Sequence, residues 1–258
     1  MKGDVSVRRE RDKTRIRSLL ETARLWAGYA LCDLEPELFR LCDWHVACID
    51  DAIISLCLYY KGLQPPTQIT IGDPHGIEKI LGAADVLREL YAHIPLHHRE
   101  VLLRYYAFNE LQLMKRMAVT KDTFTPFAGK ATRLDEEDLS DLETLYARHS
   151  RAFFQPYMLT SGVYYGLRRY GVLVSAAGTH VCSPSHSMAC LGNVFTHPAH
   201  RGKGYATICT SKVVEELLTH HQDVILNVGS QNTPATAIYE KLGFHEHCTY
   251  LEGLGTLV

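Results

Sequence analysis

One segment restricts what this chain can fold into more than any other. Residues 194 to 207 read Val-Phe-Thr-His-Pro-Ala-His-Arg-Gly-Lys-Gly-Tyr-Ala-Thr. An apolar strand runs into a proline-marked turn, through Arg-Gly-Lys-Gly, and on into a helix. That helix is amphipathic: Cys209, Val213 and Leu217 align, as do Val214 and Leu218. Two glycines let backbone N–H groups turn toward a bound anion with no Cβ in the way, and a helix N-terminus adds a favourable dipole. Arg201 and Lys203 bring positive charge to the same spot. The segment therefore belongs to an α/β layer and is suited to phosphate. It is not a GxxxxGK[ST] loop, and Gly202 and Gly204 lack the third glycine of GxGxxG.

What does match is Arg-x-x-Gly-x-Ala at residues 201–206. A second block follows at the spacing of one helix and one strand. Leu226-Asn227-Val228 closes a strand, and residues 232–244 read Asn-Thr-Pro-Ala-Thr-Ala-Ile-Tyr-Glu-Lys-Leu-Gly-Phe. Thr233 is expected to cap this helix, Pro234 suits its first turn and Gly243 its end. The two blocks, in this order, resemble the pyrophosphate motif and the second signature of the GCN5-related N-acetyltransferases (GNATs), over about residues 130–250. The resemblance implies acetyl-CoA as cosubstrate and an amine as acceptor, by direct transfer. Backbone groups of Val194, Phe195 and Thr196 would meet the thioester and pantetheine, with N–H groups near Val194 stabilising the oxyanion. Arg201, Gly202, Lys203, Gly204, Tyr205, Ala206 and Thr207 would hold the pyrophosphate, Asn232 the pantetheine arm, and Tyr239 would stand by the sulfur as catalytic acid. A phenol of pKa near 10 stays protonated at neutral pH, and a thiolate of pKa about 8.5 can accept its proton.

The general base is not legible. Some members carry Glu where this chain has Asn227, and an amide is no base. His180, His186, His197 and a water chain remain, with His197 read as an exposed turn residue. The missing carboxylate keeps an alternative open: a non-catalytic coenzyme-A-binding regulatory or interaction protein that kept the fold. Cys182, His186 and Cys190 read as a hairpin between two strands, so no metal is expected.

The expected fold class is α/β (α+β): a mixed central sheet flanked by helices, with a GNAT-like domain at 123–258 preceded by a second α/β domain at 1–122. The break falls in Val119–Lys130, where Thr, Pro and Gly interrupt the pattern. The first 30 residues read as helix, from Ile16, Leu19, Leu20, Ala23, Ala27 and Ala30. Trp44–Ile49 and Ala52–Tyr60 read as strands joined at Asp50-Asp51, Gln68–Ile71 as a strand and Gly76–Tyr91 as a helix, while the type of 98–118 stays open. Gly72-Asp73-Pro74-His75-Gly76 occupies the place of a phosphate loop without the arginine or the right glycines, as in a degenerate first repeat of a tandem GNAT. This half is expected to shape an acceptor pocket or a dimer surface.

Composition narrows the partners. Lys and Arg number 27 against 29 acidic residues, which leaves no bulk charge for nucleic acid. The one basic run, Arg8–Arg17, reads as a solvated helical face. There is no signal-peptide core or stretch of about 18 apolar residues, and eight cysteines form no CxxC pair. Cytoplasmic location, reduced thiols, a small-molecule amine, no nucleic acid and no membrane are the expectations; a homodimer is left open.

Overall fold

The computed structural model describes residues 4–83, 85–148 and 153–258. It divides into two compact units, Met1–Arg116 with Cys248–Val258 and Met117–His247. The first unit opens with β1 (Ser6–Arg9) and α1 (Lys13–Thr22), then α2 (Gly28–Cys32) and α3 (Pro36–Phe39). The single opening helix is thus replaced by a strand and short helices. Residues 6–9 pair antiparallel with Cys48–His45, a tertiary gain that local helical spacing does not encode. Asp12 caps α1 by accepting from Thr14 N at 2.8 Å. The basic run is solvent-facing as expected, but it is divided between β1 and α1 rather than carried on one helix. Arg8 and Arg15 each reach the Asp51 carboxylate at 2.8 Å, and these bonds, that of Arg15 first, hold Asp51 below the usual carboxylate range.

β2 (Cys42–Ile49) and β3 (Ala52–Tyr60) meet at Asp50 and Asp51. Both are left-handed (φ 48° and 66°), the geometry of a tight two-residue hairpin. β4 (Thr67–Gly72) follows, then α4 (Pro74–Ala83), which stops well short of Tyr91. Ala84, inside the expected helix, lies outside the described residues. Residues Glu89–Pro95 form β5 instead, parallel to β4 from Thr67↔Tyr91 to Ile69↔His93. Leu90, Ala92 and Ile94 are all buried, so a period of two wins over the helical stripe that Leu87 and Leu90 suggested. The open stretch resolves into α5 (Arg99–Tyr105), β6 (Tyr106–Phe108) and β7 (Gln112–Thr120).

The second unit runs β8 (Thr132–Arg133), α6 (Leu139–Tyr146), α7 (Pro156–Ser161), β9 (Tyr165–Arg169), β10 (Val172–Ser183), β11 (Met188–Thr196), α8 (Tyr205–Leu217), β12 (Asp223–Gly229), α9 (Thr233–Lys241) and β13 (His245–Leu257). Its strands are ordered β7-β12-β11-β10-β9-β8. On one face Cys209, Val213 and Leu217 of α8 pack with Leu191, Leu226 and Tyr239. On the other, Leu142, Tyr146, Met158 and Leu159 pack with Tyr164, Ala176 and Phe195. Fully burying one such Leu or Val contributes about 1.5–3 kcal/mol. Mixed α/β layering is therefore what the chain adopts.

These units differ from the expected 1–122 and 123–258. β13 is long enough to leave the second unit, and from Tyr250↔Pro95 to Thr256↔Glu89 it pairs with β5 of the first. Cys182, His186 and Cys190 lie on the β10–β11 hairpin, with Cys182 opposite Ala189. Among the described residues no three His, Cys, Asp or Glu side chains are grouped to hold a metal ion, and no helix is long and apolar enough to cross a membrane.

Candidate functional site

β11 and β12 run parallel and pair from Met188↔Asp223 to Leu191↔Leu226, where the pairing stops. β11 continues to Thr196 and β12 to Gly229, so the two strands part and leave a cleft between their C-terminal ends. The cause lies in β11. Against β10 the register passes from Gly178↔Gly192 to Ala176↔Phe195, one residue too many on β11, and Asn193 is left-handed at φ 52°. This β-bulge re-aims the strand, and Val194 has no partner in either register. The bulge is braced from the α6–α7 side. Tyr146 OH donates to Asn193 O at 2.6 Å, Asn193 Nδ2 donates to Tyr164 OH at 2.8 Å, and Tyr164 OH donates to Thr179 O at 2.8 Å.

Beyond the cleft the chain enters the glycine loop. Gly202 and Gly204 are left-handed, φ 76° and 74°. A Cβ added at Gly202 would meet nothing within 4 Å, and one at Gly204 only Phe127 Cε1 at 3.9 Å. Packing therefore does not require glycine here; backbone conformation and open approach do. Gly204 is the N-cap of α8 and offers no side-chain acceptor. Among the described residues the amides of Gly202 through Thr207 donate to no protein group. A concave row of unspent N–H groups at the start of a 13-residue helix fits a diphosphate. Arg201 Nε donates to Thr196 O at 3.2 Å, with its guanidinium 5.8 Å from the Phe195 ring, so its charge is held at the mouth of the cleft. Nearby His200 is kept below the ordinary imidazole value by desolvation first and then by Lys203. Tyr205 and Thr207 are buried, and Tyr205 OH accepts from Arg169 Nε at 2.7 Å; both would offer backbone rather than side chain.

Asn232, not Thr233, caps α9. Its Oδ1 accepts from Ala235 N at 3.3 Å, because the helix begins one residue earlier than Pro234 suggested. Its Nδ2 stays exposed at the strand–helix junction. Tyr239 is 7% exposed and edge-on to Phe244 at 5.8 Å, and among the described residues its hydroxyl has no hydrogen-bond partner. Burial pushes the phenol up to about 12. The hydroxyl thus stays protonated at any physiological pH.

The three histidines separate. His197 Nδ1 accepts from Ala199 N at 3.2 Å, capping the turn at Pro198–His200. His186 sits in the β10–β11 turn, its amide on Ser183 Oγ at 3.2 Å. His180 lies against β11: a Cβ at Gly192 would collide with its Nε2. The residues missed from sequence are Asn193 and its brace, Tyr146 and Tyr164. Gly192-Asn193 inside an apolar run was the available signal, since such pairs mark bulges and turns.

Residues 164–251 match the model of the family described as FR47-like protein. Among solved structures, a Drosophila protein superposes with TM-score 0.76 at 9% identity, over 97% of this chain and 98% of its own. A tandem GNAT protein from the clavulanic acid biosynthesis pathway does so at 0.58 and 13%, over 98% of each chain. A GNAT-family acetyltransferase of Novosphingobium aromaticivorans gives 0.60 and 18%, over 78% of this chain and 88% of its own. No curated protein sequence matches. The chain has the GNAT fold in its two-domain form.

Proposed function

We propose that this chain is an acyltransferase that moves the acetyl group of acetyl-CoA onto an amine by direct transfer. The observation that carries the reading is the pair of open, left-handed glycines at the head of α8, set beside a cleft between parting parallel strands. The amides of 202–207, with Arg201 and Lys203, would hold the diphosphate. Val194, Phe195 and Thr196 would line the thioester and pantetheine, and Asn232 would reach the arm through Nδ2. The amide of Val194, which has no partner in either register, would serve a developing oxyanion. Tyr239 would protonate the departing sulfur.

The first unit fits a degenerate repeat of the same fold that holds no coenzyme. A cytoplasmic location belongs to this reading, and all eight cysteines are free thiols. A second reading, a coenzyme-A-binding regulator without turnover, draws on Asn227 standing where a carboxylate base would be. Thiol release from acetyl-CoA, measured against a panel of amines, polyamines, amino acids and peptides, separates the two. Amine-dependent release supports the enzyme; acetyl-CoA binding with no release by any amine supports the regulator.

A further inference from the structure

We infer that His180 takes the proton from the attacking amine in the transfer proposed above, a reading on which this inference rests. The imidazole is seated on the α-carbon of Gly192, which lies between Leu191, the last paired rung of β11, and Asn193, the bulge. It therefore stands where the strands begin to part, on the face opposite α8. Its ring meets Phe153 edge-on at 5.9 Å, and Phe153, 42% exposed, offers an apolar ring against which an acceptor could pack. The glycine is what permits the arrangement, since any Cβ at 192 would displace the ring.

The ionisable groups on the three strands bordering the cleft are His180, Cys182, Cys190 and Asp223. Burial pushes the Cys182 thiol up to about 12, and Cys190 has no exposure. Asp223 opposes Met188, at the paired end of the strands. From α6 and the residue just before β9 the facing groups are Tyr146 and Tyr164, both raised by burial, and α7 adds Tyr157. Of this set only an imidazole changes charge near neutral pH.

The step balances. The nitrogen lone pair attacks the thioester carbon and one N–H proton passes to His180 Nε2. The C–S bond breaks with its electron pair on sulfur, and Tyr239 supplies that sulfur with a proton. Water then takes the proton from His180 and restores the one on Tyr239.

The test uses the full chain, acetyl-CoA and the most active amine of the panel. His180→Gln should lower kcat/KM by about 10²–10⁴-fold with acetyl-CoA affinity unchanged, which also reports that the variant folds. The parent's kcat/KM should rise with pH along a limb that His180→Gln lacks. His180→Ala should regain part of its rate with added imidazole. A variant that keeps the parental rate, or that loses rate while keeping the limb and ignoring imidazole, overturns the assignment. A parent that releases no thiol with any amine removes the acyl-transfer reading, and this inference with it.

Discussion

Gly204→Ala separates the conformational role of the loop from its binding role. At φ 74° an L-residue costs about 1–2 kcal/mol over glycine. No clash adds to this, because the nearest atom to the new Cβ is Phe127 Cε1 at 3.9 Å. The melting midpoint of the second unit should fall by about 3–6 °C. The methyl group would, however, stand in the approach to the loop amides. Loss of one hydrogen bond to a charged oxygen is worth about 1.5–3 kcal/mol, which weakens acetyl-CoA binding by about 10–150-fold. Gly171 supplies the control. It is left-handed at φ 80°, and a Cβ there also meets nothing within 4 Å, but it lies in the β9–β10 turn. Gly171→Ala should cost the same stability and leave affinity alone. Calorimetry with acetyl-CoA and thermal melts on both variants provide the measurement. Equal affinity in parent and Gly204→Ala, or an equal loss in Gly171→Ala, refutes the assignment of this loop.

Tyr239→Phe keeps the ring against Phe244 and removes the proton donor. Turnover should fall by about 10²–10⁴-fold with acetyl-CoA affinity unchanged, read from steady-state kinetics beside calorimetry. Calorimetry of the parent should give one acetyl-CoA per chain; a stoichiometry of two overturns the degenerate-repeat reading. His98 is fully buried, and desolvation holds it at about 4. It is neutral in the fold, while the unfolded chain protonates its histidine below about 6.5. Its contribution is therefore intact above pH 6.5 and lost as pH falls from there toward 4, about 3 kcal/mol over the window. Urea midpoints at pH 7 and 4.5 should differ less in His98→Gln than in the parent, and an unchanged difference removes His98 as the cause.

The loop, α8, β12 and α9 were legible because each is specified within a few residues: Gly202 and Gly204 by conformation, Pro234 by its place in the first turn, Gly243 by its left-handed φ of 89°. What stayed hidden depends on distant partners. β1 is a strand because residues 6–9 find Cys48–His45. β13 returns to the first unit because Tyr250 finds Pro95. Neither pairing leaves a mark on the local pattern. The β5 segment carried both a helical stripe and a strand alternation, and the parallel partner β4 decided between them. At the site, Gly192-Asn193 hinted at a bulge, but its brace was hidden because Tyr146 and Tyr164 lie 47 and 29 residues away in the chain.

The asymmetry between the units follows from how each treats the backbone of a parting parallel pair. In the first unit β4 and β5 also part, after Ile69↔His93. There Trp26 Nε1 donates to Thr70 O at 3.0 Å and His98 Nε2 donates to Gly72 O at 2.9 Å. A carbonyl only accepts, so Nε2 carries the proton, and Nδ1 accepts from Thr70 OH at 2.8 Å. The polar groups that parting exposes are thus satisfied by the unit's own buried side chains. Its loop is closed in the same sense: a Cβ at Gly72 would strike Ile54 O, and one at Gly76 would strike Ser55 Oγ. These glycines exist for packing, those at 202 and 204 for access. Removing His98 would take one donor from Gly72 O without opening the filled space around Gly76. In the second unit Val194 stands outside both registers, and among the described residues the amides of 202–207 stay unspent. The first unit satisfies with its own side chains what the parting exposes; on the function proposed above, the second leaves those groups for an anionic, carbonyl-bearing ligand.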